Sequence, residues 1–177
     1  MKAEIITIGE VESKILSDLS TQITKNFRPL IKNCQINTSF EIPQEAYDPE
    51  RNQYKAGGLL EYIRSKTLSQ EKRKILAVTD EDLYSSGLNF IFGQADCPGS
   101  FALISLHRLD PEFYGQTADD DLFLKRVVKE AVHELGHTFG LGHCTNSRCV
   151  MSFSNSILDV DQKDPRFCED CQERLGL

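Results

Sequence analysis

The sequence predicts an α/β protein in which helices pack against a mixed, twisted sheet, and two observations carry that expectation. Short apolar runs rich in β-branched residues alternate with segments whose apolar residues recur at helical spacing, giving a β-α-β-α-β order through the first half of the chain. A longer helical pattern then starts near Asp119, and beyond it the composition turns to Cys, Ser, Asn, Asp and Pro. At 177 residues the chain suits one domain with a core and a cleft and is short for two.

Taken in order, residues 3–8 (AEIITI) read as a buried strand ended by Gly9. Over 12–26, Ile15, Leu16, Leu19 and Ile23 share a helical face, with Ser13 as the expected N-cap. After the Arg28-Pro29 break, 34–42 (CQINTSFEI) has the content of a second strand, closed by Pro43 and followed by a turn at Tyr47-Asp48-Pro49. Leu59, Leu60 and Ile63 mark a helix over about 55–67, and KILAVT at 74–79 is the clearest buried strand. Two more strands are expected at 88–92 (LNFIF) and 101–106 (FALISL), separated by a Gly93–Gly99 loop, with the second at the cleft edge of the sheet. From Asp119 to about Phe139, Leu122, Val127, Val128, Ala131, Val132 and Leu135 give a helix its apolar face, and Asp119, Asp120 and Asp121 suit its positive end. The segment after His143 has too few apolar residues for a core of its own, so another constraint must hold it.

The composition, 40% hydrophobic and 27% charged, is that of an ordinary globular protein. A net charge of −7 weighs against a nucleic-acid partner, which needs a basic face. The N-terminal MKAEIITIGEVESK lacks the pattern of a signal peptide, and no apolar run is long enough for a membrane span. A cytoplasmic protein is therefore expected, and in a reducing compartment clustered cysteines are more often metal ligands than disulfides.

Residues 133–143 read HELGHTFGLGH. On a helix, His133 and His137 project from one face and can reach one metal ion, while Glu134 beside them can take a proton from a water at that metal. Gly140 supplies a left-handed helix end that turns the chain back, so that His143 can serve as the third ligand. Three protein ligands leave a position for water, which is the mark of a catalytic zinc. A bare HExxH also arises by chance on surface helices; here it extends through Gly140 and His143 and takes in three of the four histidines. The fourth, His107, reads as an ordinary surface or cleft residue.

Cys144 follows His143 directly, and with Cys149, Cys168 and Cys171 it forms a CxxxxC and a CxxC pair that suit a closed, structural zinc site. Two disulfides or four buried thiols are the alternative. The closed site supplies the constraint missing from the C-terminal segment, and the peptide between His143 and Cys144 links it to the open one. Two zinc ions are expected in all. Cys34 and Cys97 lie outside both clusters and read as buried apolar residues with no role.

From His133 to Cys171, through Cys144, Cys149 and Met151, the sequence resembles the archaemetzincins, and TDEDLYSSGLNFIFGQA (79–95) is also similar. The resemblance implies a metzincin-like zincin fold: one domain over 1–177 with an upper part of about 1–142, an active-site helix, and a zinc-stapled lower part of about 143–177. It also implies that Met151 forms an apolar floor beneath the catalytic zinc, that the three His and four Cys are the ligands, and that Glu134 is the general base of a zinc metallopeptidase acting on peptides or proteins. Aminopeptidase activity is associated with some relatives. Some metzincins carry a Tyr two residues after the methionine, where this chain has Phe153, so an oxyanion-stabilising group must be sought elsewhere; Tyr84, Tyr114 and Lys163 are the candidates, each with a plainer reading as a surface or packing residue. A monomer is expected. The rival functional reading is a catalytically silent or autoinhibited two-zinc scaffold protein.

Overall fold

A computed structural model describes residues 1–67 and 73–177. Its main sheet contains β1 (Lys2–Ile8), β2 (Asn33–Phe40), β5 (Arg73–Thr79), β7 (Gly93–Ala95) and β8 (Phe101–Ser105) in the order β2-β1-β5-β8-β7. The first four strands across the sheet are parallel, and β7 runs antiparallel to β8. A smaller sheet joins β3 (Tyr47–Asp48), β4 (Gln53–Lys55) and β6 (Leu83–Tyr84).

Parallel neighbours need crossover connections, and these cover both faces of the sheet. Alternate residues therefore feed two cores. Ile5, Leu76, Val78, Ala102 and Ile104 belong to the core shared with α1 (Ser13–Asn26) and α3 (Asp120–Thr138). Ile6, Ile8, Ile75, Ala77 and Leu103 belong to the one shared with α2 (Ala56–Lys66). This doubly buried alternation is why 3–8, 74–79 and 101–106 were legible as strands.

Three expectations need correction. The helix from Ser13 has Glu12, not Ser13, at its cap position, and no side chain caps it. LNFIF does not form a strand: apart from a single bridge between Ile91 and Leu83, residues 88–92 are irregular. Their apolar content serves another purpose, since Phe90 and Phe92 meet edge to face at 5.3 Å and both line the cleft described below. Finally, the cleft edge of the sheet is β7, inside the expected loop, while 101–105 is the strand next to it.

The C-terminal segment adds α4 (Ile157–Gln162) and α5 (Glu169–Leu175). It also contributes Val150, Met151, Val160 and Phe167 to the core of α1 and α3, and the Phe167 ring meets Phe27 at 5.2 Å. Packing thus holds this segment in addition to any metal. Charged side chains of α3 reach the same region: buried Arg126 pairs with Asp161 at 2.7 Å, and Lys129 Nζ donates to the Val160 and Asp161 carbonyls at 2.9 and 3.0 Å. Among the described residues, no helix is long and apolar enough to cross a membrane.

Candidate metal centre and cleft

Helix α3 begins with Asp119, whose side chain accepts the Leu122 amide at 2.9 Å, and ends in a Schellman turn. There Gly140, at φ 91°, donates to the His137 carbonyl at 2.8 Å, and Leu141 donates to the Gly136 carbonyl at 3.3 Å. The turn brings the Leu141 carbonyl back over the helix, where it accepts His137 Nδ1–H at 2.7 Å. The Val150 carbonyl does the same for His133 Nδ1–H at 2.8 Å. With both ring protons committed in this way, each histidine turns a bare Nε2 inward.

Those two Nε2 atoms lie 3.1 Å apart. Two facing lone pairs at that distance repel unless a cation lies between them. Ligand nitrogens about 2.0–2.1 Å from a tetrahedral zinc stand roughly 3.3 Å apart, so the pair fits such an ion closely. His143 completes the group, with the ligand atoms of all three residues within 4.8 Å of one another. Burial, aided by Lys163 and His137, holds His133 well below the ordinary imidazole value, and burial likewise lowers His137 and His143. Neutral imidazoles are the form that binds metal.

Met151 lies fully buried under this helix. A Cβ on Gly136 would come within 2.5 Å of its Sδ and 3.3 Å of Phe167, so the glycine between the two metal-facing turns is what admits the methionine. Glu134 is also buried, which together with Glu130 pushes its carboxyl well above the usual range while Lys163 opposes the shift. The edge strand passes directly over it: a Cβ on Gly93 would stand 2.6 Å from Glu134 Cγ and 2.7 Å from the Leu103 carbonyl oxygen.

The sulfurs of Cys144, Cys149, Cys168 and Cys171 also gather within 4.8 Å of one another. Cys144 and Cys168 Sγ are 3.7 Å apart, against roughly 3.8 Å for thiolates about 2.3 Å from a tetrahedral zinc. Cys149 Sγ accepts the Met151 and Cys168 amides at 3.4 and 3.3 Å. The two groups share one strap of chain. Cys149 faces the sulfurs, Val150 orients His133, Met151 supports the helix, and the Met151 carbonyl accepts the Cys144 amide at 2.9 Å.

A cleft of about 380 Å³ opens over the histidines, between Phe92–Ala95 on one side and Phe153–Asn155 on the other. Phe153 is 52% exposed and its ring lies 5.1 Å from that of His143, so no phenol stands at that position. None of the three proposed oxyanion candidates lines the cleft. The Tyr84 ring lies under the Arg51 guanidinium, Tyr114 donates to the Arg108 carbonyl, and Lys163 is a buried partner of Glu130 rather than a surface residue. Asn155, which the sequence did not single out, does line it. Cys34 is buried as expected, but Cys97 is exposed, lines the cleft and donates to the Leu141 carbonyl at 3.5 Å. His107 lies outside the cleft lining against Phe113.

Residues 8–176 match Peptidase family M54. An archaemetzincin of Pyrococcus furiosus is 47% identical over 178 residues, covering 97% of this chain and 93% of the relative. The crystal structure of an archaemetzincin from Methanopyrus kandleri superposes with a TM-score of 0.83 at 40% identity, covering 99% of this chain and 93% of the other. A zinc-dependent peptidase from Methanocorpusculum labreanum does so with a TM-score of 0.86 at 32% identity, covering 98% and 99%. With the sheet, the histidine-bearing helix and the cysteine-gathered C-terminal segment in place, a match of this extent means that the chain belongs to peptidase family M54, alongside the archaemetzincins.

Proposed function

We propose that this M54 metallopeptidase holds a catalytic zinc at His133, His137 and His143 and a structural zinc at Cys144, Cys149, Cys168 and Cys171, and cuts peptide bonds with Glu134 as general base. The observation that carries the reading is the pair of bare Nε2 atoms 3.1 Å apart, each fixed by a carbonyl on its far side. Bound zinc supplies Lewis acidity, acidifying a water at the open position, polarising the scissile carbonyl and favouring the ionised Glu134.

The chain's own groups do the rest. A substrate strand lies along the free edge of β7, whose residues line the cleft. Glu134, confined between α3 and Gly93, takes a proton from the attacking water as the new C–O bond forms. It returns that proton to the leaving nitrogen as the C–N bond breaks. Burial, which raises the proton affinity of the carboxylate, keeps it a competent base.

The test is an unbiased cleavage profile of the zinc-loaded protein, with metal content measured in parallel. Glu134→Ala should keep its zinc and lose turnover by at least about 100-fold; hydrolysis by that variant at the parent rate rules out the assignment. The same profile distinguishes release of single N-terminal residues, the aminopeptidase mode, from internal cleavage.

A further inference from the structure

Besides Glu134, one carboxylate lies in the wall of the cleft. Glu130 stands one turn before Glu134 on α3, is 3% exposed and lines the cleft. Its Oε1 accepts Lys163 Nζ at 2.9 Å, and that ammonium, 2% exposed, also donates to the Ser152 carbonyl at 3.3 Å. A buried ion pair is a poor way to stabilise a fold, because desolvating the two charges offsets their attraction and a well-packed apolar pair often serves as well. Placed here it has another use. Lys163 stays behind the cleft wall, where it fixes and balances the carboxylate that Glu130 displays to the cavity.

Two further polar atoms lie within the same walls. Among the described residues, Oε1 of Gln94 on β7 and Oγ of Ser154 on the opposite wall are buried without a hydrogen-bond partner, and both residues line the cleft. Buried polar atoms are nearly always paired, so unpaired ones on a cavity wall point to a ligand that completes them. No Lys or Arg among the described residues lines the cleft to supply donors. Apolar Leu88, Phe90 and Phe92 form part of the wall and suit the methylene stem of a long side chain.

We propose that Glu130 is the specificity-determining residue of this cleft. With Gln94 and Ser154, it selects peptides whose side chain beside the scissile bond is long and carries N–H donors, an amide or a cation, over apolar side chains of similar size. The inference rests on the peptidase reading above. An apolar side chain in this position leaves the Gln94 and Ser154 atoms unpaired and offers nothing to the Glu130 carboxylate beyond its bond from Lys163, which lowers its affinity about 10- to 100-fold relative to a donor-bearing one.

The experiment uses the zinc-loaded full chain and peptides identical except for Gln, Lys, Arg, Met or Leu beside the scissile bond. Turnover is compared as kcat/KM, and binding of the same peptides is measured by calorimetry in the Glu134→Ala background. The binding arm reads recognition without turnover, so failure of the Glu134 assignment and failure of this one are separable. Gln, Lys and Arg are expected to exceed Met and Leu by about 10- to 100-fold. A lead of Gln over Lys identifies an amide site, and the reverse a cationic one. Glu130→Gln should selectively weaken the basic peptides. The double variant Glu130→Met with Lys163→Met removes both charges without stranding a buried ammonium, and should bring the preference for Lys and Arg over Met within about twofold of unity while Gln94 and Ser154 retain part of the preference for Gln. Equal treatment of Gln, Lys and Met by the parent protein, or a donor preference unchanged in the double variant, overturns the proposal.

Discussion

The histidine group and the cysteine group are joined by one peptide bond yet built in opposite ways. Two of the three histidines stand on a 19-residue helix whose inner face is buried in the main core, and carbonyls of other segments set their ring orientation. The cysteines come from irregular chain, a turn and the start of a seven-residue helix, where the Cys149 sulfur accepts the amides of Met151 and Cys168. A metal at the first group finds ligands that the core already positions. At the second, the metal itself would organise much of the chain that carries the ligands. On the two-zinc reading proposed above, the open site is held by the core and, through Val150 and Met151, by the closed one.

The largest effect is expected from Cys168→Ser. Loss of that sulfur should lower stability on the order of several kcal/mol and reduce metal occupancy at the histidines, because Cys149, Val150 and Met151 are consecutive and Val150 holds His133. His137→Ala should abolish activity with a much smaller shift in thermal unfolding. Metal analysis of folded Cys168→Ser protein checks the link: a full and active histidine site disproves the coupling through this strap.

Gly136→Ala probes the seam between the two groups, where Met151 lies under the helix. The added methyl must displace a fully buried Sδ and press on Phe167, so a loss of about 1–3 kcal/mol is expected. Since Met151 N and O contact Cys149 and Cys144, the substitution should weaken metal retention at both groups. A variant with parental Tm and full metal content at both would show that the methionine floor is free to move.

The difference between the regions also governs what the sequence could reveal. His133, Glu134 and His137 were legible because their geometry follows from spacing on one helix, and Gly140 because a helix end needs its positive φ. The cysteines were legible as paired spacings. The need for Gly136 and Gly93 was hidden, since each glycine is required by an atom remote in sequence. β7 was hidden for a different reason: Gly-Gln-Ala carries no alternation, and its strand character comes from pairing with β8. Lys163 read as a surface or packing residue, and its burial against Glu130 was hidden because that partner is supplied by a helix 33 residues away. Cys97 read as a core residue on the strength of its type alone, and the fold places it at the cleft.

The smallest expected effect concerns the wall beside the histidines, which carries no residue of either candidate ligand group. Residues 153–155 line the cleft and lead into α4, whose start is a reciprocal box: Asp159 accepts the Asn155 and Ser156 amides at 3.0 and 2.9 Å and the Ser156 hydroxyl at 2.8 Å. The Ser156 hydroxyl bond, followed by the amides and Lys163, outweighs slight burial and lowers the Asp159 carboxyl below its ordinary value. A depressed folded-state value means that the ionised form stabilises the fold. The contribution is present above the unfolded carboxylate value of about 4 and is lost as pH falls through the lower folded value. Because the group is largely solvated, its worth is small, about 0.5–1 kcal/mol. Asp159→Asn should therefore cost that much at neutral pH and progressively less as the pH drops below about 4, while leaving metal content at both groups unchanged. Chemical denaturation of the two proteins across that range tests it. A stability difference that stays constant with pH would mean that the box acts through shape and not charge, and a loss of metal would mean that this wall, too, belongs to the coupled strap.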